Sequence, residues 1–235
     1  MLLLAGRMGL KLWCLTLLAA LAVPVPAGAA TPRETLMQAA FETTGRAEAL
    51  ARIDAAAASA DALLARSPGD REARLQRALA TGYRGKLTRS RGLALEARRT
   101  FEALAASAPR DPDIQLAIAG WHASAIVDLG AMMARTAVGA RRAEAIAGLD
   151  RAVAFGRGHA AFPAMAALFR IAIDTDDVAA ATALAEAALH APAPDAFDRL
   201  MRQRAAAILP LLRSGNGARA AALARTLLPF ARVSR

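Results

Sequence analysis

One residue spacing recurs along this chain, and it constrains the fold more than any other feature. In the first copy, Ala56, Ala60 and Leu63 are followed by Pro68, so the steps are four, three and five residues. The spacing returns four times, at intervals of 41, 48, 35 and 40 residues. The later copies begin at Ala97 and Ala180, which keep the proline, and at Ala145 and Ala220, which lack it. The chain is therefore predicted to consist of about five similar units.

Steps of four and three residues place the three side chains on one face of an α-helix. Small residues on that face let a neighbouring helix approach, a larger apolar residue fills the groove one turn later, and proline ends the helix. Each copy therefore predicts the second helix of an antiparallel pair. The composition agrees, because alanine is abundant while valine, isoleucine and aromatic residues are scarce, which favours helices over strands.

Such pairs resemble tetratricopeptide repeats, whose second helix carries small and large residues and a closing proline at these spacings. The resemblance covers most of residues 45–231. The first helices lack the aromatic and Leu-Gly positions of that repeat, and the intervals differ from its period of about 34 residues. The resemblance implies an all-α fold over residues 31–235, a right-handed α-solenoid of about five antiparallel helix hairpins with a concave groove lined by first helices.

Local signals predict where the helices begin and end. Thr31, Pro32 and Glu34 form a capping-box pattern that starts the first helix, which ends by Gly45. The next helices are predicted at about 46–66, 70–88, 92–107, 113–134 and 141–155, followed by a pair within 161–190 that turns at 174–177 and a last pair that opens at 192–195 and turns at 214–217. Ten helices in five hairpins result.

Residues 1–30 are predicted to form a secretory signal peptide. Arg7 and Lys11 are their only charges, and the apolar run over 12–23 is shorter than the roughly 20 residues that span a bilayer. Cleavage after Ala29 or Ala30 would place the mature protein in the periplasm or outside the cell. The alternative is that the segment stays as a membrane anchor.

The charge balance is strongly basic. The formal net charge is +10, and removing Arg7 and Lys11 leaves +8 for the mature chain. This balance favours acidic partners or anionic envelope surfaces, and the alternative is that the charges only solvate helix faces. Nucleic acid is not an expected partner, because an exported protein rarely meets it.

Large side chains with polar groups mark a predicted partner-binding site on the first helices of the second and third pairs. Trp and Tyr are typical anchors at protein interfaces, and basic side chains near the following turn can bind carboxylate or phosphate groups. The predicted site comprises Tyr83, Arg84, Lys86, Arg89, Trp121 and His122. The alternative for Trp121 is packing between helix pairs with its N–H satisfied inside the protein.

The sequence predicts no catalytic residue and no metal site. Asp128 lies six residues beyond His122, which does not place it over the histidine on a helix, and no third group is indicated for Ser124. The three histidines are far apart, and the acidic run over 174–177 lacks the spacing of a calcium loop. Capping of the helix that begins near Asp177 is the simpler explanation of that run. The only cysteine, Cys14, lies in the signal segment.

These features predict a non-enzymatic periplasmic scaffold or adaptor that binds a protein or peptide partner in its groove, without a cofactor. A ligand-binding accessory protein of envelope transport is the alternative, and a hydrolase is a more remote one. The longest interval contains Met132 and Met133 beside Arg135. Methionines there are equally consistent with an adaptable contact surface and with core filling.

Overall fold

The computed structural model describes residues 30–233, and the predicted signal peptide lies almost entirely outside this range. The described residues confirm the all-α prediction, since they contain helices and no strand. The helices are α1 Pro32–Phe41, α2 Arg46–Arg66, α3 Arg71–Thr88, α4 Arg91–Ser107, α5 Pro112–Leu129, α6 Ala131–Val138, α7 Arg142–Phe155, α8 Ala161–Ile173, α9 Val178–His190, α10 Ala196–Arg213 and α11 Gly217–Leu227.

Side-chain caps begin most of these helices. Thr31 and Glu34 form the predicted capping box at α1, and α2 has the predicted bounds. A capping side chain accepts a backbone N–H bond from the first turn and satisfies a donor that has no partner within the helix. The other side-chain caps are Asp70 at α3, Ser90 at α4, Asp111 at α5, Asp195 at α10 and Asn216 at α11.

The predicted helix over residues 113–134 is wrong in one respect, because it breaks at Gly130. Gly130 has φ 79° and ψ 154°, a backbone conformation open essentially to glycine alone. The chain turns there, and α6 leaves α5 at 119°. The described residues therefore contain eleven helices rather than ten, and α6 accounts for much of the extra length in the longest interval between copies.

The recurring small-residue face is buried as predicted in most copies. Ala97, Phe101 and Leu104 of α4 are buried, and so are the corresponding residues of α7. In α9 the predicted register is off by one residue, since Ala181, Ala185 and Ala188 form the buried face. The five copies lie on α2, α4, α7, α9 and α11.

Helix α8 occupies the centre of the largest core cluster. Residues 161–169 of α8 are buried without interruption, and α8 packs against α5, α7, α9, α10 and α11. From α1 to α6, helices that follow one another along the chain contact each other, and α5 packs closely against α7. Helices α1, α3 and α5 also contact one another in that order. One continuous core cluster reaches from Leu36 in α1 to Val233.

The first helix and the last helix pair meet. The ring of Phe41 in α1 lies 5.9 Å from that of Phe197 in α10, and the guanidinium of Arg204 lies 4.4 Å from the centre of the Phe41 ring. The Phe230 N–H donates to the Ala40 carbonyl oxygen over 2.7 Å. Helix α1 therefore contacts both α10 and the residues that follow α11.

We call residues 228–233 the C-terminal segment. Its apolar residues Leu228, Phe230 and Val233 are buried and belong to the largest core cluster. Phe230 has a φ of 62°, which is unusual for a residue other than glycine. The segment is therefore a packed part of the core.

Among the described helices, none is by itself long and apolar enough to cross a membrane, although α5 and α6 pass that test as a bent pair.

Candidate functional site

Tyr83 is half-buried and packs against the C-terminal segment. The rings of Tyr83 and Phe230 meet edge to face with centres 4.9 Å apart. Burial raises the pKa of the Tyr83 hydroxyl to about 12. Phe230 thus covers part of the Tyr83 side chain, which is half-buried. The contact joins residues 147 positions apart, and the repeat pattern does not indicate it.

The three predicted basic residues lie together at the C-terminal end of α3. Arg84 is exposed and pairs with Asp54 of α2, and Lys86 pairs with Asp128 at the end of α5. Arg89 ends α3 in the left-handed conformation with φ 54°, and its side chain is exposed. This end of α3 therefore presents cationic side chains to solvent.

Trp121 is half-buried and its polar group has an internal partner. Its indole N–H donates to the Ala94 carbonyl oxygen over 2.9 Å, and the Arg98 guanidinium lies 5.4 Å from the ring centre. This is the geometry of the alternative in which Trp121 packs between helix pairs. The indole joins α5 to α4.

His122 is 3% exposed and contacts the loop between α6 and α7. Its Nδ1 accepts a hydrogen bond from the Arg141 N–H over 3.2 Å. Burial and then the positive charge of Arg98 lower the pKa of His122 from 6.5 to about 4, and Glu144 and Glu102 oppose that shift. A neutral imidazole that accepts at Nδ1 agrees with this lowered pKa, and it connects α5 to the start of α7.

We expect His122 to make the protein less stable in mild acid. Between pH 6.5 and about 4 the unfolded chain binds a proton at this histidine that the folded chain does not. The free energy of unfolding therefore decreases as the pH is lowered through this window. Urea denaturation of wild type and His122→Asn, which keeps a hydrogen-bond acceptor, should show the wild type losing about 1–2 kcal/mol more across this window. A difference between the two proteins that does not change with pH would contradict this role.

Three exposed apolar side chains lie next to the basic end of α3. Leu129, Met132 and Met133 are 48%, 83% and 57% exposed, so the methionines do not fill the core. Arg91 connects this region to the α3–α4 turn, because its Nε donates to the Ala137 carbonyl oxygen over 2.6 Å. The signal in the sequence was the extra length of the interval, but only the bend at Gly130 exposes these side chains.

His159, Asp195 and Asp198 could each offer one ligand atom to a metal, and these atoms lie within 4.8 Å of one another. The contacts already present use most of them. Asp198 is 1% exposed, its Oδ2 lies 2.8 Å from His159 Nδ1, and its Oδ1 accepts from the Ala161 N–H over 2.9 Å. Asp195 Oδ1 caps α10 at the Asp198 N–H. The buried carboxylate thus caps the N-terminus of α8 from a different helix.

The acidic run in the α8–α9 turn does not form the predicted cap. Asp177 precedes α9 but makes no side-chain cap hydrogen bond, because its carboxylate accepts from Arg170 Nε over 2.8 Å. Asp174 pairs with Arg142 of α7. These carboxylates therefore hold neighbouring helices together through arginine.

The residues considered for hydrolase chemistry do not converge. His122 Nδ1 is bound to the Arg141 N–H, and Asp128 pairs with Lys86.

A depression of about 600 Å³ lies between the α8–α9 turn and the α10–α11 turn. Residues such as Thr175, Asp176 and Asn216 line it, and it is open to solvent.

No protein-family model, curated protein or solved structure matches this chain. Its functional interpretation therefore depends on the contacts of its own residues.

Proposed function

We propose that this chain is a non-enzymatic scaffold of the tetratricopeptide-like helical-repeat kind, a right-handed solenoid of helix hairpins that is exported and binds an acidic protein partner. Burial of the recurring face in α2, α4, α7 and α11 supports the helical-repeat part. The partner site in this proposal is the basic end of α3, with Arg84, Lys86 and Arg89.

One observation carries the choice of this site. Tyr83 is half-buried and packs against the C-terminal segment, and Trp121 and His122 have internal hydrogen-bond partners, whereas Arg84 and Arg89 are exposed. Of the six residues predicted to bind a partner, Arg84 and Arg89 are thus the exposed ones, and Lys86 lies between them in the chain.

The ion pair of Arg84 leaves it able to bind a partner. Arg84 and Asp54 are 45% and 55% exposed, and exposed pairs of this kind contribute only about 0–1 kcal/mol. A carboxylate from another protein can therefore replace Asp54 at little cost, and Arg offers it a bidentate contact.

Charge reversal at this end of α3 tests the proposal. We expect an Arg84→Glu/Arg89→Glu variant, isolated from its own envelope at moderate salt, to lose a co-purifying protein by about tenfold or more relative to wild type. The matched control is Arg157→Glu/Arg219→Glu, which changes two exposed arginines elsewhere and lowers the net charge equally. The proposal fails if both variants retain the same proteins, or if the control loses them equally, since the latter would indicate a general effect of charge.

A further inference from the structure

The bend between α5 and α6 leaves an apolar surface without a packing partner. Among the described residues, the exposed large apolar side chains are Leu129, Met132 and Met133, and all three lie within five positions of one another. Single exposed apolar residues are common on protein surfaces, but a cluster of them marks an interaction site. We call these three side chains the apolar tip.

The backbone explains why the tip is exposed. Gly130 turns α6 by 119° away from the direction of α5, and Ala134 is the residue of α6 that is buried. Leu129 and the two methionines therefore lie where the chain changes direction and face solvent. The hydrogen bond from Arg91 to Ala137 and the pair of Lys86 with Asp128 hold the bend against the α3–α4 turn.

The surroundings of the tip are cationic. Residues 84–91 and 128–142 contain seven arginines and lysines and one acidic residue, Asp128. Three of the seven are paired with acids, and one of these pairs is Lys86 with Asp128. The remaining four are Arg89, Arg91, Arg135 and Arg141, all of which are exposed.

The shape of the tip favours a lipid surface over a peptide. A bound amphipathic helix needs a groove that receives its apolar side chains, whereas Met132 and Met133 are 83% and 57% exposed and project from the surface. Apolar side chains that project between cations are typical of surfaces that enter the interfacial layer of an anionic membrane.

We propose that the apolar tip docks on an anionic membrane surface, with Leu129, Met132 and Met133 entering the interfacial layer and Arg91, Arg135 and Arg141 binding lipid phosphates. This docking does not depend on the protein partner proposed above. It orients the scaffold so that α5 and α6 lie against the bilayer.

Vesicle sedimentation tests this docking. Wild type is expected to bind vesicles of equal parts phosphatidylcholine and phosphatidylglycerol more tightly than vesicles of phosphatidylcholine alone. Met132→Ser/Met133→Ser should reduce the partition coefficient by about tenfold, whereas Met132→Leu/Met133→Leu should keep it. Arg135→Gln should reduce it by about fivefold. All proteins share the same N-terminus, so any contribution of residues 1–30 cancels.

A second pair of variants separates docking from general charge attraction. Arg157→Gln/Arg219→Gln removes two exposed arginines from other parts of the surface and is expected to bind as wild type does. The proposal is overturned if wild type does not bind anionic vesicles at low salt, if the serine variant binds as tightly as wild type, or if the Arg157→Gln/Arg219→Gln control loses as much binding as Arg135→Gln. A photoreactive group at position 132 that reacts with a protein and not with lipid would overturn it as well.

Discussion

Replacing Asp198 with alanine is expected to lower the free energy of unfolding by about 3 kcal/mol. The carboxylate is 1% exposed, and it accepts from the Ala161 N–H at the start of α8 while it contacts His159. The substitution leaves that N–H buried without an acceptor and removes a negative charge from the positive end of the central helix. Urea denaturation at neutral pH measures the loss.

His159→Ala is the control for this prediction, because it removes the other partner of the same carboxylate. The His159 side chain is 46% exposed, so its loss should cost at most about 1 kcal/mol. A large effect of Asp198→Ala beside a small one of His159→Ala would identify capping of α8 as the role of Asp198. If Asp198→Ala costs less than about 1 kcal/mol, this account of the buried carboxylate is wrong.

Phe230→Ala is expected to destabilise the protein by about 3 kcal/mol, because it removes a buried ring and leaves a cavity where the C-terminal segment packs on the core. The ring is buried against Tyr83, and the Phe230 N–H binds the Ala40 carbonyl oxygen. The loss should appear as a lower urea midpoint with an unchanged dependence on denaturant, since the rest of the core stays folded.

Phe230→Gly separates the ring from the backbone in this prediction. It removes the same ring but suits the φ of 62°, which costs a residue with a Cβ about 1 kcal/mol. We expect the glycine variant to be at least as stable as the alanine variant, although glycine is the smaller residue. A Phe230→Ala variant within about 0.5 kcal/mol of wild type would mean that the C-terminal segment does not pack on α1 and α3.

The positions of most helices could be predicted from the sequence, because local residue patterns determine where a helix begins and ends. Thr31 and Glu34 begin α1, and Pro68 follows the end of α2 at its predicted position. The break at Gly130 was not readable, because a single glycine in an apolar stretch is tolerated within helices. The one-residue shift in α9 has a similar cause, since alanines fill so many positions of that helix that two faces satisfy the same spacing.

The site was only partly predictable, because its limits are set by contacts between distant residues. The exposure of Arg84 and Arg89 follows from their place near a turn, which the sequence indicates. Two contacts depend on the packing of helices that are distant in the sequence. Tyr83 packs against Phe230, and Asp198 of α10 caps α8. Residue spacing carries no signal for such contacts.

Site-specific photocrosslinking in the intact envelope, with a photoreactive phenylalanine at position 89, 83 or 157 in turn, tests whether a protein partner binds at the basic end of α3. We expect a crosslink to another protein from position 89, a crosslink within the chain from position 83, where the side chain packs against Phe230, and no specific crosslink from position 157. Crosslinks to a partner from position 83 and none from position 89 would contradict the proposed binding site. The partner would then bind the surface of α3 around Tyr83, where the C-terminal segment packs in this structure.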